Sequence, residues 1–190
     1  SYILLTFFSP SGYEVRKNYP VADHVFYLPV DTKANARRFN DILKPDLVIF
    51  VKYEYWLNHL IVMQKNGVTV LMISSIFLKE YIFFRWYGSL WKKALKGFLH
   101  FFVQNAESGE LLKSVGIDGF SITGDTRFDR VISITEQFEE LPLIKKFCST
   151  PYVIVAGSTW PEDEEVFTHL VKTRKDVSFI FAPHEIYDDH

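Results

Sequence analysis

The sequence predicts an α/β fold built on a parallel sheet with helices on both faces, and three observations carry that prediction. Short apolar runs alternate with stretches of helical periodicity along all 190 residues. The runs are apolar at consecutive positions, the mark of strands buried on both sides. Glycine and proline stand where the helical stretches end. With 48% hydrophobic and 17% aromatic residues, a sizeable core is available and disorder is not expected.

Taken in order, strands are expected at residues 3–8, 25–28, 47–51, 68–73, 100–104, 120–123, 152–156 and 178–182. Asp31 or Thr32 can cap a first helix with Ala36, Phe39 and Leu43 on one face, ended by Pro45. A second helix holds Leu57, Leu60, Ile61 and Gln64 and stops at Gly67, and a third runs through Leu111, Leu112 and Val115 to Gly116. Residues 81–98 read as one aromatic-rich helix with Arg85, Ser89, Lys92 and Lys96 on a single stripe. Between about residues 134 and 150 the rhythm loosens into a polar stretch with Glu136, Glu139, Glu140, Lys145 and Lys146, and it restarts after Pro151. This reads as a domain junction, with residues 1–134 in one domain and 135–190 as linker and first βαβ unit of a second. Buried strands at both ends need neighbours and crossovers on each side, so the expectation is a piece of a longer protein.

Composition narrows the function. A formal net charge of −2 argues against a dedicated nucleic-acid binder. One cysteine, Cys148, excludes an intramolecular disulfide and a multi-cysteine zinc site, and fits a reducing compartment. No apolar run reaches the roughly 20 residues of a membrane-spanning helix. The six histidines show no helical metal-binding pair, so neither a metal nor another cofactor is expected. The glycine signatures of P-loops, dinucleotide sites and serine hydrolases are absent as well.

In a parallel α/β sheet ligands bind beyond the carboxyl ends of the strands. The residues there include Ser9-Pro10-Ser11-Gly12, Lys52 to Asn58, Ser74-Ser75, Gln104-Asn105, Gly124 to Asp129 and Gly157-Ser158-Thr159. Glu54 and Asn58 together could clamp sugar hydroxyls, and Trp56 could stack on a sugar face; equally, Glu54 favours a positive helix end and Trp56 packs inward. Gly157-Ser158-Thr159 before Pro161 is either an anion seat at a helix start or a capped turn. Its acidic neighbours from Glu162 to Glu165 disfavour a phosphate directly over the helix. Asp125 or Thr126 would cap another helix, with Arg127 pairing with Asp129 or an anionic ligand. The basic and aromatic side chains of residues 81–98 form either a membrane-facing surface or a core helix with one solvated side.

Taken in order, these segments resemble the Kdo (3-deoxy-D-manno-octulosonic acid) transferases of lipopolysaccharide biosynthesis. Ser9-Pro10-Ser11-Gly12 is similar to the family's T-P-T-G, Tyr27-Leu28-Pro29-Val30-Asp31 to Y-L-P-x-D, and Arg38-Phe39 to the R-F that follows. Tyr53-Glu54-Tyr55-Trp56-Leu57-Asn58 resembles T-E-L-W-P-N, Gln104-Asn105 a Q-N or Q-S step, and Gly124 to Asp129 G-N-x-K-F-D. Ala156-Gly157-Ser158-Thr159 resembles the start of A-G-S-T-H-x-G-E-E. Each match is modest, but the ordered set is specific.

The resemblance implies a glycosyltransferase of the B type with two facing Rossmann-like domains. The first would bind a lipid A precursor through Ser9, Ser11, Gly12, Glu54, Trp56 and Asn58. The second would bind CMP-Kdo through Gly157, Ser158, Thr159 and His184. It further implies an inverting, metal-free reaction at the cytoplasmic face of the bacterial inner membrane, with Tyr81, Phe84, Arg85, Trp91, Lys92 and Lys96 as a candidate membrane contact. The family's general base, a glutamate in S-x-G-E, falls upstream of these residues, and much of the donor pocket falls downstream. No catalytic residue is therefore assigned within residues 1–190, and the chain alone is expected to be inactive.

Several positions depart from the family pattern. Its P-R-H reads Pro183-His184-Glu185, so His184 either replaces the arginine or, across a one-residue gap, aligns with the histidine. Its N-A-R-L reads Ser74-Ser75-Ile76-Phe77, and Lys52 stands where an acid is frequent. Other readings are a B-type nucleotide-sugar enzyme such as an epimerase, which UMP-based donor binding would mark, and a non-catalytic Rossmann-like module.

Overall fold

A computed structural model describes residues 2–185. The chain divides into two compact units, residues 1–131 and 132–190.

The first unit contains six parallel strands in two sheets. β1 (Leu4–Phe7) pairs with β2 (His24–Tyr27), while β3 (Leu47–Val51), β4 (Thr69–Ser75), β5 (His100–Val103) and β6 (Phe120–Ile122) pair in that order. All pairings are parallel, as expected when each strand is followed by a helical crossover. The crossovers contain α1 (Pro10–Arg16), α2 (Lys33–Leu43), α3 (Leu57–Lys65), α4 (Ser89–Leu95) and α5 (Ala106–Ser114).

Phe50, Val70, Met72, Phe101 and Val103 share one face of the four-stranded sheet and pack with Leu60 and Met63 of α3, Ala94 and Leu95 of α4, and Leu112 of α5. Burying a side chain such as Leu60 or Phe101 is worth roughly 1.5–3 kcal/mol, so this layer dominates the unit's stability. The opposite face of β3 is open: Leu47, Ile49 and Val51 are about half exposed. Cover on both faces, expected from the continuous apolar run, is thus found on one face of β3, because the packed helices of this core all lie on the Phe50 side.

Two further differences from expectation concern helices. Residues 9–12, read as a loop, begin α1: Ser9 accepts the Gly12 amide at 3.3 Å as N-cap and Pro10 occupies the first helical turn. Residues 81–98, read as one helix, are a 3-10 turn (Ile82–Phe84), a loop and α4. The chain doubles back there because Gly88 lies against the Ile82 carbonyl, where a β-carbon would overlap. The stripe of Arg85, Ser89, Lys92 and Lys96 on one helix does not exist.

The second unit holds the end of α6 (Thr126–Glu136), α7 (Pro142–Phe147) and the βαβ of β7 (Tyr152–Thr159), α8 (Pro161–Thr173) and β8 (Val177–Pro183). β7 and β8 are parallel, from Tyr152 beside Val177 onward, with a register shift between Gly157 and Thr159. No residue of α8 is buried.

Candidate functional site

The carboxyl ends of the first unit's strands form a polar rim, and its geometry follows from how each crossover begins. At the end of β1, Ser9 caps α1 and its hydroxyl lies 3.3 Å from that of Ser11. Gly12 sits inside the helix against Phe7, where a β-carbon would approach the ring to 2.8 Å. Glycine is what permits that close packing. Phe8, the next strand-end residue, meets the Trp56 ring at 4.5 Å, which brings the β1 end beside the β3–α3 loop.

That loop is organised by Asp31, at the end of β2. Its carboxylate accepts the Asn58 and His59 amides, each at 3.1 Å, and its carbonyl accepts the Asn58 side-chain amide at 2.8 Å. Asp31 therefore caps α3 from 27 residues away, while Thr32 alone caps α2 by accepting the Asn35 amide at 3.2 Å. The α3 N-cap, Trp56, has no side-chain cap of its own. Asn58, expected to clamp a sugar, has one side-chain N–H engaged by the Asp31 carbonyl, leaving its second N–H and its side-chain oxygen to offer. Beside it His59 is buried; its Nε2 lies 3.4 Å from the Pro29 carbonyl, its Nδ1 has no partner, and burial lowers its pKa.

Glu54 accepts a hydrogen bond from the Trp56 indole nitrogen. This positions the carboxylate at the rim and keeps the indole at the Phe8 edge. Residue parity along this loop is informative: Glu54 and Trp56 pair with each other, whereas Tyr53 and Tyr55 line a separate aromatic depression with Tyr81 and Trp91.

At the ends of β3, β4, β5 and β6 a second cluster forms around Asp125. Lys52 Nζ lies 3.4 Å from Asp125 Oδ1, and Arg127 makes a 2.6 Å ion pair through Nη2 and a 2.7 Å hydrogen bond through Nε to Oδ2. Ser74 Oγ donates to Asp125 Oδ1 at 3.4 Å, and Gln104 donates to the Ser74 carbonyl at 2.8 Å. Arg127 thus pairs with Asp125 and not with Asp129. Hydrogen bonds from Arg127, with Lys52 nearby, hold the Asp125 carboxyl well below the usual carboxylate range. Lys52 and Ser74 both adopt positive φ, 62° and 51°, a conformation that costs most residues energy and concentrates at functional rims. Lys52 and Asp125 thus compensate each other's charge.

In the second unit, Gly157, Ser158 and Thr159 belong to β7 itself and not to a loop after it. Ser158 is exposed with φ of 57°, at the register shift. Thr159 is buried and donates to Glu164 at 2.8 Å, and its carbonyl accepts the His184 amide at 2.9 Å. Neither hydroxyl caps α8; Trp160 stands at the N-cap position without a side-chain cap bond, and its own amide donates to Asp163 at 3.0 Å. His184 lies 4.8 Å from the Trp160 ring.

The side chains named as a membrane contact separate into two groups. Phe84 packs on Phe77 and Phe83, and Trp91 meets Phe83 edge-on at 5.8 Å, both partly buried against the core. Tyr81 and Lys92 are partly buried too, whereas Arg85 and Lys96 are exposed, as are the neighbouring Trp86, at 90%, Tyr87 and Leu90. Among the described residues no three His, Cys, Asp or Glu side chains gather as a metal site, and no helix is long and apolar enough to cross a membrane.

Comparison with known proteins fits this arrangement. A 3-deoxy-D-manno-octulosonic acid transferase of Rickettsia typhi is 27% identical over 156 residues, covering 82% of this chain and 33% of its own length. A transferase of the same description from Aquifex aeolicus is 28% identical over 190 residues, covering 97% of this chain and 47% of its own length. The chain thus spans between a third and a half of these relatives. A solved UDP-N-acetylglucosamine 2-epimerase superposes on 97% of the chain and 61% of its own length, with a TM-score of 0.66 at 12% identity, a likeness of fold. The family model described as "3-Deoxy-D-manno-octulosonic-acid transferase (kdotransferase)" matches residues 1–130, and the chain belongs to that family.

Proposed function

We propose that this chain supplies the acceptor-binding part of an enzyme that moves Kdo from CMP-Kdo to a lipid A precursor with inversion. In that reaction an acceptor hydroxyl gives its proton to a general base outside these residues and attacks the anomeric carbon, the bond from that carbon to the phosphate oxygen breaks, and CMP leaves with the electron pair. Positioning of the hydroxyl and stabilisation of the leaving phosphate would supply most of the rate. The observation that carries the reading is the family match over residues 1–130, which spans the whole polar rim of the first unit.

On this reading Glu54, oriented by Trp56, accepts from acceptor hydroxyls, with the exposed Ser9 and Ser11 hydroxyls at the neighbouring strand end. Gly157, Ser158, Thr159 and His184 serve the donor; of the two hydroxyls, exposed Ser158 suits direct contact and buried Thr159 suits holding the strand end. Work at the cytoplasmic face of the bacterial inner membrane is supported by the outward Trp86, Tyr87 and Leu90 beside Arg85 and Lys93.

A chimera tests the proposal: residues 1–130 replace the matched stretch of the Aquifex aeolicus relative, and Kdo transfer from CMP-Kdo to lipid A precursor is measured. Transfer is expected from the chimera and not from the 190-residue chain alone. Glu54→Ala in the chimera is expected to lower transfer at least tenfold with an unchanged melting profile. A folded chimera without activity contradicts the proposal, and unchanged kinetics in the variant removes Glu54 from the site.

A further inference from the structure

The cations around Asp125 serve neither substrate in the proposed function. Their carboxylate partner is saturated: besides Lys52, Ser74 and the Arg127 guanidinium, it accepts the Arg127 amide at 3.0 Å. The cations are not. The Lys52 side chain is only 22% exposed, yet its ammonium, with three N–H groups to place, reaches only Asp125, at 3.4 Å. A cation so far from water and so thinly partnered is costly and calls for an explanation, such as a ligand oxygen. Its place is imposed by the backbone: the Lys52 amide donates to the Ile73 carbonyl at 2.9 Å, in the left-handed conformation. The Arg127 side chain is 69% exposed. Asp125 Oδ2 takes its Nε and Nη2, so the edge formed by Nη1 and Nη2 is open.

One carboxylate stands against two cations, so the cluster keeps a single positive charge in a chain of formal net charge −2. Asp125 is held ionised by its partners, so that balance persists across the physiological range. The open guanidinium edge is planar and forked, the geometry that meets a carboxylate through two hydrogen bonds. The charge matches as well: a carboxylate carries −1, whereas a phosphate monoester carries about −1.5 to −2 at neutral pH. The cluster stands at the carboxyl ends of β3, β4 and β6, the edge where parallel sheets bind ligands. Beneath it the Thr126 hydroxyl donates to that of Ser74 at 3.3 Å.

We propose that Lys52 and Arg127 bind the carboxylate of an acid sugar, Arg127 donating through its open edge and Lys52 through a further N–H. Asp125 is the positioning residue that holds both cations. The proposal rests on the transferase reading for the identity of the sugar, which is then Kdo, an octulosonic acid, but not for carboxylate binding itself. The first unit's rim would thus recognise the transferred sugar as well as the acceptor, and would tell an acid sugar from a neutral one.

The test titrates the 190-residue chain at low ionic strength with free Kdo, Kdo methyl ester and glucose 6-phosphate, following the Arg127 and Lys52 side-chain N–H signals by NMR. Kdo is expected to shift both signals, and the uncharged ester to bind about tenfold more weakly. Lys52→Gln and Arg127→Gln are each expected to weaken Kdo binding about tenfold. Arg127→Lys, which keeps the charge without the fork, should weaken it about threefold. A merely structural cluster would lower the melting temperature of Lys52→Gln and leave Kdo affinity unchanged, which overturns the proposal. So does absence of Kdo binding, or equal binding of the ester. Tighter binding of glucose 6-phosphate than of Kdo overturns the assignment of the anion as a carboxylate. Kdo binding together with an inactive chimera retains the carboxylate site and discards the transferase reading; an active chimera without Kdo binding by the chain does the reverse.

Discussion

Replacing Asp31 by alanine removes both acceptors that hold the first turn of α3. The Asn58 and His59 amides, each 3.1 Å from the carboxylate, lose their partners in a part-buried setting. Loss of a helix cap costs about 0.5–2 kcal/mol, and loss of a negative charge at a helix N-terminus adds about 0.3–1 kcal/mol. The Asn58 side-chain bond goes to the Asp31 carbonyl and survives. The expected destabilisation is therefore roughly 1–3 kcal/mol. For a unit of this size that lowers the melting temperature by about 3–12 °C. Asp31→Asn keeps one acceptor without the charge and should lose about half as much. Thermal melts at neutral pH provide the magnitude, and amide exchange at Asn58 and His59 provides the site. A variant within about 0.5 kcal/mol of the parent, or one whose two amides stay protected, would refute the assignment of Asp31 as the tie between β2 and α3.

Other consequences can be checked separately. His59→Leu should flatten part of the pH dependence of stability: the folded pKa of His59 lies below its ordinary value, so the parent loses stability as pH falls below about 6.5 and the unfolded chain takes up the proton; parallel pH curves for parent and variant would contradict this. Asp125 has a depressed pKa through Arg127 and Lys52, so its contribution is intact above about pH 4 and is lost as acid protonates it. Asp125→Asn should therefore show a shallower acid limb in a pH series of denaturant melts, and an unaltered limb would exclude the cluster. Gly88→Ala forces a β-carbon into the Ile82 carbonyl and should destabilise the first unit by about 1–3 kcal/mol; denaturant midpoints measure it, and an unchanged midpoint would contradict the close approach.

Much of the architecture was legible because strand signals are local. All eight expected strands are present, since runs such as Leu47 to Val51 are short, apolar and bounded by turns. The rule that ligand-facing residues follow strands also found the rim, including Glu54 and Gly124 to Arg127. What the sequence obscured depends on contacts between distant residues. Asp31 is a fair cap for its own helix, and nothing local says that it reaches α3. Residues 81–98 have helical spacing, but the fold buries Phe83 as a core residue and turns the chain at Gly88. A strand that continues past glycine with Ser158 at positive φ resembles a loop when read as letters. For α1 a signal was available: Ser9 followed by Pro10 is an N-cap and first-turn pair, masked by the helix-weakening Gly12.

The most direct test of the account is hydrogen exchange on the 190-residue chain with and without lipid A precursor. Protection is predicted at residues 52–58 of the β3–α3 loop, with smaller protection at residues 9–12 and 81–91. Protection confined to other surfaces, or none at a lipid concentration that saturates the active chimera, would contradict the claim that this rim receives the acceptor.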